Sequence, residues 1–335
     1  MPRIGSIAGR SLANVSTVRK LISVAFNGPT ISASASQLQL GGGTRIANTS
    51  SWSFSGTNVL FTGTGLPYHS YGNSTAANTP ADQKYNLSWK YRGGTNVEGS
   101  RAYTVGGGLI GLWLNGVAMF NPSAQFGAPP GFIKPQGFEF NAAYEAGLQI
   151  GYTFGEDLAG GHAAPPNQYH YHDGSFFTAW ETGSGHASGT YGVTGLAECS
   201  VIEYLKSGLT HPDGHSKILG ISADGYPVYG PFGYNVATDS TSPVVRMDTG
   251  YTLQSEESRI GTSAENIITY PMGIFIEDYV FTASGDLDEH NGRYCVTPDY
   301  PQGTYAYFLT VNSDTEPVYP YVIGNTFYGS PARLT

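Results

Sequence analysis

The run Tyr169-His170-Tyr171-His172 alternates two side-chain types with a period of two, which belongs to an extended strand and not to a helix. On a strand both imidazoles leave one face and both phenols the other. Histidines at i and i+2 then stand near enough to reach one divalent ion, while Tyr169 and Tyr171 pack into whatever lies behind them. The same alternation fits two histidines that merely hydrogen-bond in a polar cleft. Four of the eight histidines, His162, His170, His172 and His186, fall within residues 162–186, and that crowding favours the metal reading.

A fold that surrounds such a strand must be rich in turns. The chain has 46 Gly, 20 Pro and 24 Tyr with only 12% charged residues, a composition of short aromatic strands and not of long charged helices. The expected class is mainly β, as a sandwich or open-barrel-like sheets with long loops and a few short helices. With 335 residues and 40% hydrophobic content, the chain can bury a sizeable core. Strands are expected at residues 31–40, 52–54 and 58–61. Asn115-Gly116, set between apolar runs, predicts a hairpin. Helices are expected at residues 12–23, 140–147 and 200–208. No repeat of 20–50 residues is found, so residues 30–335 read as one unit, with a division near residue 105 into two packed sub-sheets left open.

Charge is laid down unevenly. Residues 1–81 hold Arg3, Arg10, Arg19, Lys20 and Arg45 and no acid, whereas the rest carries 11 basic against 25 acidic groups. An acidic body argues against nucleic acid as a partner, and residues 1–29 read as a basic arm suited to an acidic partner or simply solvated. Arg10, Arg19 and Lys20 break any apolar leader, so no signal peptide is expected. No apolar run is long enough for membrane insertion. Cys199 and Cys295 are the only cysteines; they exclude a disulfide framework and leave a single bridge open.

Several blocks surround the tetrapeptide. Upstream stand Thr64-Gly65-Leu66-Pro67-Tyr68-His69, the stretch from Gly111 through Asn115-Gly116 to Asn121-Pro122, and Glu156-Asp157 ahead of His162. Downstream stand His215, Asp224-Gly225-Tyr226-Pro227-Val228-Tyr229-Gly230-Pro231, Asp288-Glu289-His290-Asn291-Gly292-Arg293, and Gly303-Thr304-Tyr305-Ala306-Tyr307-Phe308. In this order they resemble the YHYH-domain family, over roughly residues 30–335. The chain departs from the family where a second Tyr-His-Tyr-His often stands, since Tyr305-Ala306-Tyr307-Phe308 keeps the phenols without the imidazoles. A Cys that often accompanies the family's Asp before Gly-His is also replaced, within Leu158-Ala159-Gly160. Both departures imply that any second metal centre is missing or altered.

The candidate ligands are His69, His162, His170, His172 and His215, with Asp157, Asp224 and Asp288 as carboxylates beside glycine turns. Imidazole plus carboxylate suits a divalent transition metal better than calcium. Each candidate also has a plainer reading. Asp224-Gly225 and Asn291-Gly292 are turn formers. Tyr226, Tyr229 and Tyr305 suit a core with hydroxyls on backbone. His186 and His211 suit solvated loops, His290 beside Asp288 is ambiguous, and Arg293 suits a surface ion pair. The sequence contains no Gly-x-Ser-x-Gly elbow, zincin motif, phosphate loop or dinucleotide fingerprint, so a hydrolase would have to use metal-activated water with Asp157 or Asp224 as base.

The family is usually exported, and is similar to domains of marine phage, chiefly cyanophage, structural proteins. With the leader replaced by a basic arm, the resemblance implies a virion protein assembled in host cytoplasm, a decoration, collar, baseplate or fibre-tip component. Residues 1–29 would dock other virion proteins, exposed Tyr and Trp would meet host-surface glycan, and the subunit would form a homo-oligomer. The alternative is a metal-dependent hydrolase or oxidase acting on cell-surface polymer.

Overall fold

Two stretches of the chain share one spacing: Gly111, Asn115-Gly116 and Pro122 recur as Gly220, Asp224-Gly225 and Pro231. In the computed structural model each stretch is a hairpin, Leu109–Trp113 with Ala118–Phe120 and Ile218–Ser222 with Pro227–Tyr229. Gly116 and Gly225 turn their chains at φ +87° and +89°, a region that glycine enters without steric cost. The structure describes residues 25–27, 49–67, 78–97, 103–104, 108–124, 137–142, 160–174, 209–255, 258–262, 267–313 and 316–334.

Each of these inner hairpins is extended by an outer one. Gly161–Ala164 pairs antiparallel with Gln168–Tyr171, whose His170 and Tyr171 lie parallel to Ala118 and Met119. Correspondingly, Gly292–Cys295 pairs antiparallel with Thr304–Phe308, whose Tyr307 and Phe308 lie parallel to Val228 and Tyr229. The inner hairpins meet antiparallel, with Gly111 opposite Ser222, Leu112 opposite Ile221 and Trp113 opposite Gly220. Reciprocal backbone bonds cross the seam, Leu114 N to Leu219 O at 2.8 Å and Ala223 N to Ile110 O at 2.7 Å. The result is one eight-stranded sheet made of two lobes related by a pseudo-twofold axis between Leu112 and Ile221. This duplication has a longer period than a 20–50-residue repeat.

A second, four-stranded antiparallel sheet is formed by Ala25–Asn27, Thr49–Ser55, Asn58–Gly63 and Tyr85–Lys90. In its last strand Tyr85, Leu87 and Trp89 are buried while Asn86, Ser88 and Lys90 are exposed, the period-two pattern of a sheet with one wet face. Its buried indoles cap the two inner turns. Trp52 Nε1 donates to Leu114 O at 3.0 Å, and Trp89 Nε1 donates to Ser222 O at 2.9 Å. A Cβ on Gly225 would collide with Lys90 O, and one on Gly116 would come within 3.0 Å of Phe61 Cζ. The two glycines therefore also permit the close approach of the cap.

The expected class holds: the protein is mainly β, with several sheets that are not closed into a barrel. Strands stand where expected around residues 52–54 and 58–61. The helix expected at residues 140–147 is corrected at its start, where Phe140–Asn141 is a short strand paired with Ser123–Ala124. Tertiary contacts override propensity there: Phe140 packs 5.1 Å from Phe275, and Asn141 Nδ2 donates to Tyr321 Oη at 2.7 Å. Residues 12–23, 31–40, 143–147 and 200–208 lie outside the described residues. Cys295 is a buried free thiol with its pKa pushed up to about 11 by burial, and Cys199 lies outside the described residues. Among the described residues no helix is long and apolar enough to cross a membrane.

Candidate metal centre

Alternation works in the first outer hairpin as the sequence requires. Tyr169 and Tyr171 are fully buried on one face, and His170 and His172 leave the other. Gly161, on the neighbouring strand, has no Cβ to collide with the Tyr169 hydroxyl, so that strand packs down onto the phenol. The antiparallel register sets His162 opposite His170 and thus on the same face. The ring centroids are 4.3 Å apart for His162 and His170, 5.3 Å for His162 and His172, and 4.7 Å for His170 and His172. One ligand nitrogen from each lies within 4.8 Å of the others, so the triad could hold a metal ion. Phe120, the last residue of the inner hairpin, stacks on His170 at 3.9 Å and fixes its plane.

Hydrogen bonding determines which nitrogens face the centre. His170 Nδ1 lies 3.1 Å from Gln168 O, and His172 Nδ1 lies 2.6 Å from Asn121 O. Carbonyl oxygens only accept, so each Nδ1 carries the proton of its neutral ring and each Nε2 presents a lone pair. These two Nε2 atoms stand 3.1 Å apart. Two facing lone pairs repel unless a proton or a cation lies between them. Protonation is opposed by burial: the pKa of His170 lies well below the ordinary histidine value because of desolvation, with His162 and His172 adding repulsion. For the same leading reason the pKa of His172 falls to about 3. Two nitrogens bound at 2.0–2.1 Å to one tetrahedral ion would stand about 3.3 Å apart, close to the observed separation. Ligand imidazoles held through Nδ1–H by backbone carbonyls are the usual second layer of such sites.

The other candidates lie elsewhere. His215 is buried in the second lobe with Nδ1 donating to Ser216 O at 2.7 Å, and its Nε2 has no hydrogen-bond partner. Burial lowers its pKa to about 4. Asp224 sits in the second inner turn, where it accepts from the Ser222 hydroxyl, from Tyr307 Oη at 2.8 Å and from Gly329 N at 2.8 Å. Asp288 accepts from His290 N at 2.9 Å, Gly292 N at 3.1 Å and Tyr305 Oη at 3.0 Å. Desolvation raises the pKa of both carboxyls. Both act as staples of turns and strands. His69, Asp157 and His186 lie outside the described residues.

The plainer readings are corrected in part. Tyr226 does pair with backbone, donating to Val97 O at 2.8 Å. Tyr305 instead donates to Asp288, and Tyr229 to Asp299 at 3.0 Å. His211 is not a solvated loop residue, since its Nε2 stands 3.1 Å from Asp299 Oδ2 with the side chain only 16% exposed. Among the described residues Arg293 makes no ion pair; it donates to Tyr234 O and lies over the Phe308 ring. His290 sits with Nδ1 2.7 Å from the Thr326 hydroxyl. The positioning roles of Phe120 and Asn121 were not found from sequence, and the only signal for them is their place at the end of the strand that follows Asn115-Gly116.

In comparison with known proteins, the family described as YHYH protein matches residues 90–320, which include both lobes and the triad. No curated protein and no solved structure matches.

Proposed function

The chain belongs to the YHYH family, and from that premise we propose that its domain is a metal-binding β module carrying one divalent transition ion on His162, His170 and His172. The observation that supports this most is the pair of proton-free Nε2 atoms 3.1 Å apart, each fixed by a backbone carbonyl behind it. An all-imidazole set suits zinc, copper, cobalt or nickel, and suits calcium or magnesium poorly. The bound ion would tie the outer hairpin of the first lobe to itself across the His162–His170 register. Plasma mass spectrometry of untagged protein tests this: about one equivalent of metal is expected, lost in His170→Ala/His172→Ala. Folded, metal-free wild type that takes up no added cobalt or zinc would end the reading.

We further propose that the protein is a phage virion component assembled in host cytoplasm as a homo-oligomer, with the β domain displayed and the basic arm docked to other virion proteins. The support is the concentration of basic groups before Asp82 together with the family's resemblance to phage structural proteins. Tyr294, exposed on the edge strand, offers an aromatic surface to host glycan, whereas Trp52, Trp89 and Trp113 are buried. Deletion of residues 1–24, which spares the strand Ala25–Asn27, should abolish particle incorporation without changing the melting temperature. Truncated protein that still enters particles would refute the docking role.

One observation favours a second reading, a metal-dependent hydrolase or oxidase acting on cell-surface polymer. Three imidazoles are the protein share of one class of catalytic zinc site, which keeps a fourth position for water. Turnover of a cell-surface polysaccharide by the loaded protein, lost in His170→Ala/His172→Ala, would establish it. Absence of turnover with metal bound leaves the structural role.

A further inference from the structure

Superposing the lobes through their strand registers places His162, His170 and His172 of the first on Arg293, Ala306 and Phe308 of the second. The pairing is the same in each: His162 opposite His170 with Gly161 opposite Tyr171, and Arg293 opposite Ala306 with Gly292 opposite Tyr307. The parallel neighbours match as well, Tyr171 beside Met119 and Tyr307 beside Val228. Gly292 lacks a Cβ beneath the Tyr305 hydroxyl just as Gly161 does beneath that of Tyr169.

At the second position the chemistry is inverted. The Arg293 guanidinium carbon lies 5.6 Å from the centroid of the Phe308 ring, close to the 5.3 Å between the His162 and His172 rings. The guanidinium also donates to Tyr234 O, and among the described residues no carboxylate pairs with it. Gly233 closes the place from one side, since a Cβ there would come 3.0 Å from Phe308 and 3.2 Å from Arg293 Nη2. A guanidinium resting on an aromatic face and a backbone carbonyl, with the Cys295 side chain also bonded to it and no carboxylate paired with it among the described residues, is a positive charge stabilised by dipoles and a π-face.

We infer that the second lobe holds a latent copy of the metal centre, in which Arg293 supplies from within the chain the positive charge that an ion supplies in the first lobe. The domain thus offers two equivalent places and takes one ion. This rests on the first-lobe triad being a metal centre, as proposed above, for its chemistry, and on strand register alone for its geometry.

The test restores the imidazoles. Arg293→His/Ala306→His/Phe308→His is built in the His170→Ala/His172→Ala background and titrated with cobalt(II) alone. The expected result is a gain from no bound cobalt to about one equivalent per chain, with the visible absorption of a nitrogen-ligated ion. Folded protein, judged by near-ultraviolet circular dichroism, that binds no more cobalt than its background would overturn the inference. Should the substitutions prevent folding, the reverse exchange decides. His162→Arg/His170→Ala/His172→Phe should melt higher than His162→Ala/His170→Ala/His172→Phe, and equal melting temperatures overturn the inference. Wild-type metal content separates the two readings. Metal-loaded wild type with a cobalt-free, folded second-lobe variant defeats the latent site alone, whereas metal-free wild type with a cobalt-binding variant defeats the first-lobe reading and leaves the equivalence standing.

Discussion

The two lobes of the large sheet share strand order, register and turn geometry, yet they answer the same problem differently. In the first, three imidazoles converge, and two of them, His170 and His172, give their Nδ1 protons to carbonyl oxygens and turn their Nε2 lone pairs inward. In the second, the corresponding strands present Arg293, Ala306 and Phe308, and the cation belongs to the chain itself. On the reading proposed above, the backbone defines a place between paired strands that accommodates positive charge, borrowed as an ion in the first lobe and built in as Arg293 in the second. Stability of the second lobe should accordingly be indifferent to metal, and that of the first should not.

The two lobes should differ most at their inner turns. Gly225→Ala meets Lys90 O and a positive φ together and should cost more than about 4 kcal/mol, whereas Gly116→Ala meets side-chain atoms and should cost about 2 kcal/mol. Urea unfolding of both variants measures the gap, and equal losses would mean that the capping sheet bears on the two turns alike. Chelation comes next. Removing an ion present at a hundred times its Kd should lower stability by about 3 kcal/mol. Hydrogen exchange should quicken in Gly161–Ala164 and Gln168–Tyr171 while Gly292–Cys295 and Thr304–Phe308 keep their protection. Loosening of both hairpins would show that the lobes are not independent in this respect.

A pH effect sharpens the contrast from the second lobe. His215, held neutral by burial among His211, Asp213 and Asp299, has a folded pKa of about 4, below its unfolded value. The unfolded chain thus binds more protons between about pH 6.5 and 4, and the stability contributed by His215 is lost as pH falls through that window. His215→Phe should remove a part of the acid destabilisation on the order of 3 kcal/mol, seen as a flatter stability profile between those pH values. An unchanged profile would count against a neutral, buried imidazole. The smallest effects are at the caps. Trp52→Phe and Trp89→Phe each delete one indole donor to a turn carbonyl and should cost about 1–2 kcal/mol. Their rings lie 6.0 Å apart, so the double variant should depart from additivity.

Much of the first lobe was legible in the sequence. Alternation placed both histidines of the tetrapeptide on one strand face, and Asn115-Gly116 marked its hairpin. His162 was suggested by crowding, but its place opposite His170 depends on register, which no local pattern encodes. Asp224 and Asp288 looked like ligands because an acid beside glycine serves a turn and an ion equally well; the hydroxyls that engage them come from Tyr307 and Tyr305, distant in sequence. The duplication is faint in the sequence because little more than the glycines, the Asn or Asp of the turn, the proline and the alternating tyrosines recur, and the spacing between inner and outer hairpins differs between the lobes. Leu112-Trp113-Leu114 corresponds in the repeat to Ile221-Ser222-Ala223, residues that differ in size, and one turn lies under Trp52 while the other lies under Trp89.

The antiparallel seam between Leu112 and Ile221 also matters during synthesis. A strand that pairs with its own structural copy is, before that copy exists, nearly complementary to itself. On the ribosome Leu109–Trp113 emerges about a hundred residues ahead of Ile218–Ser222, which at 5–20 residues per second leaves an open edge for about 5–20 s. Neighbouring nascent chains on one messenger could meet through that edge, so slow elongation beyond residue 120 would favour interchain pairing, and rapid delivery of the second hairpin would protect pairing within the chain.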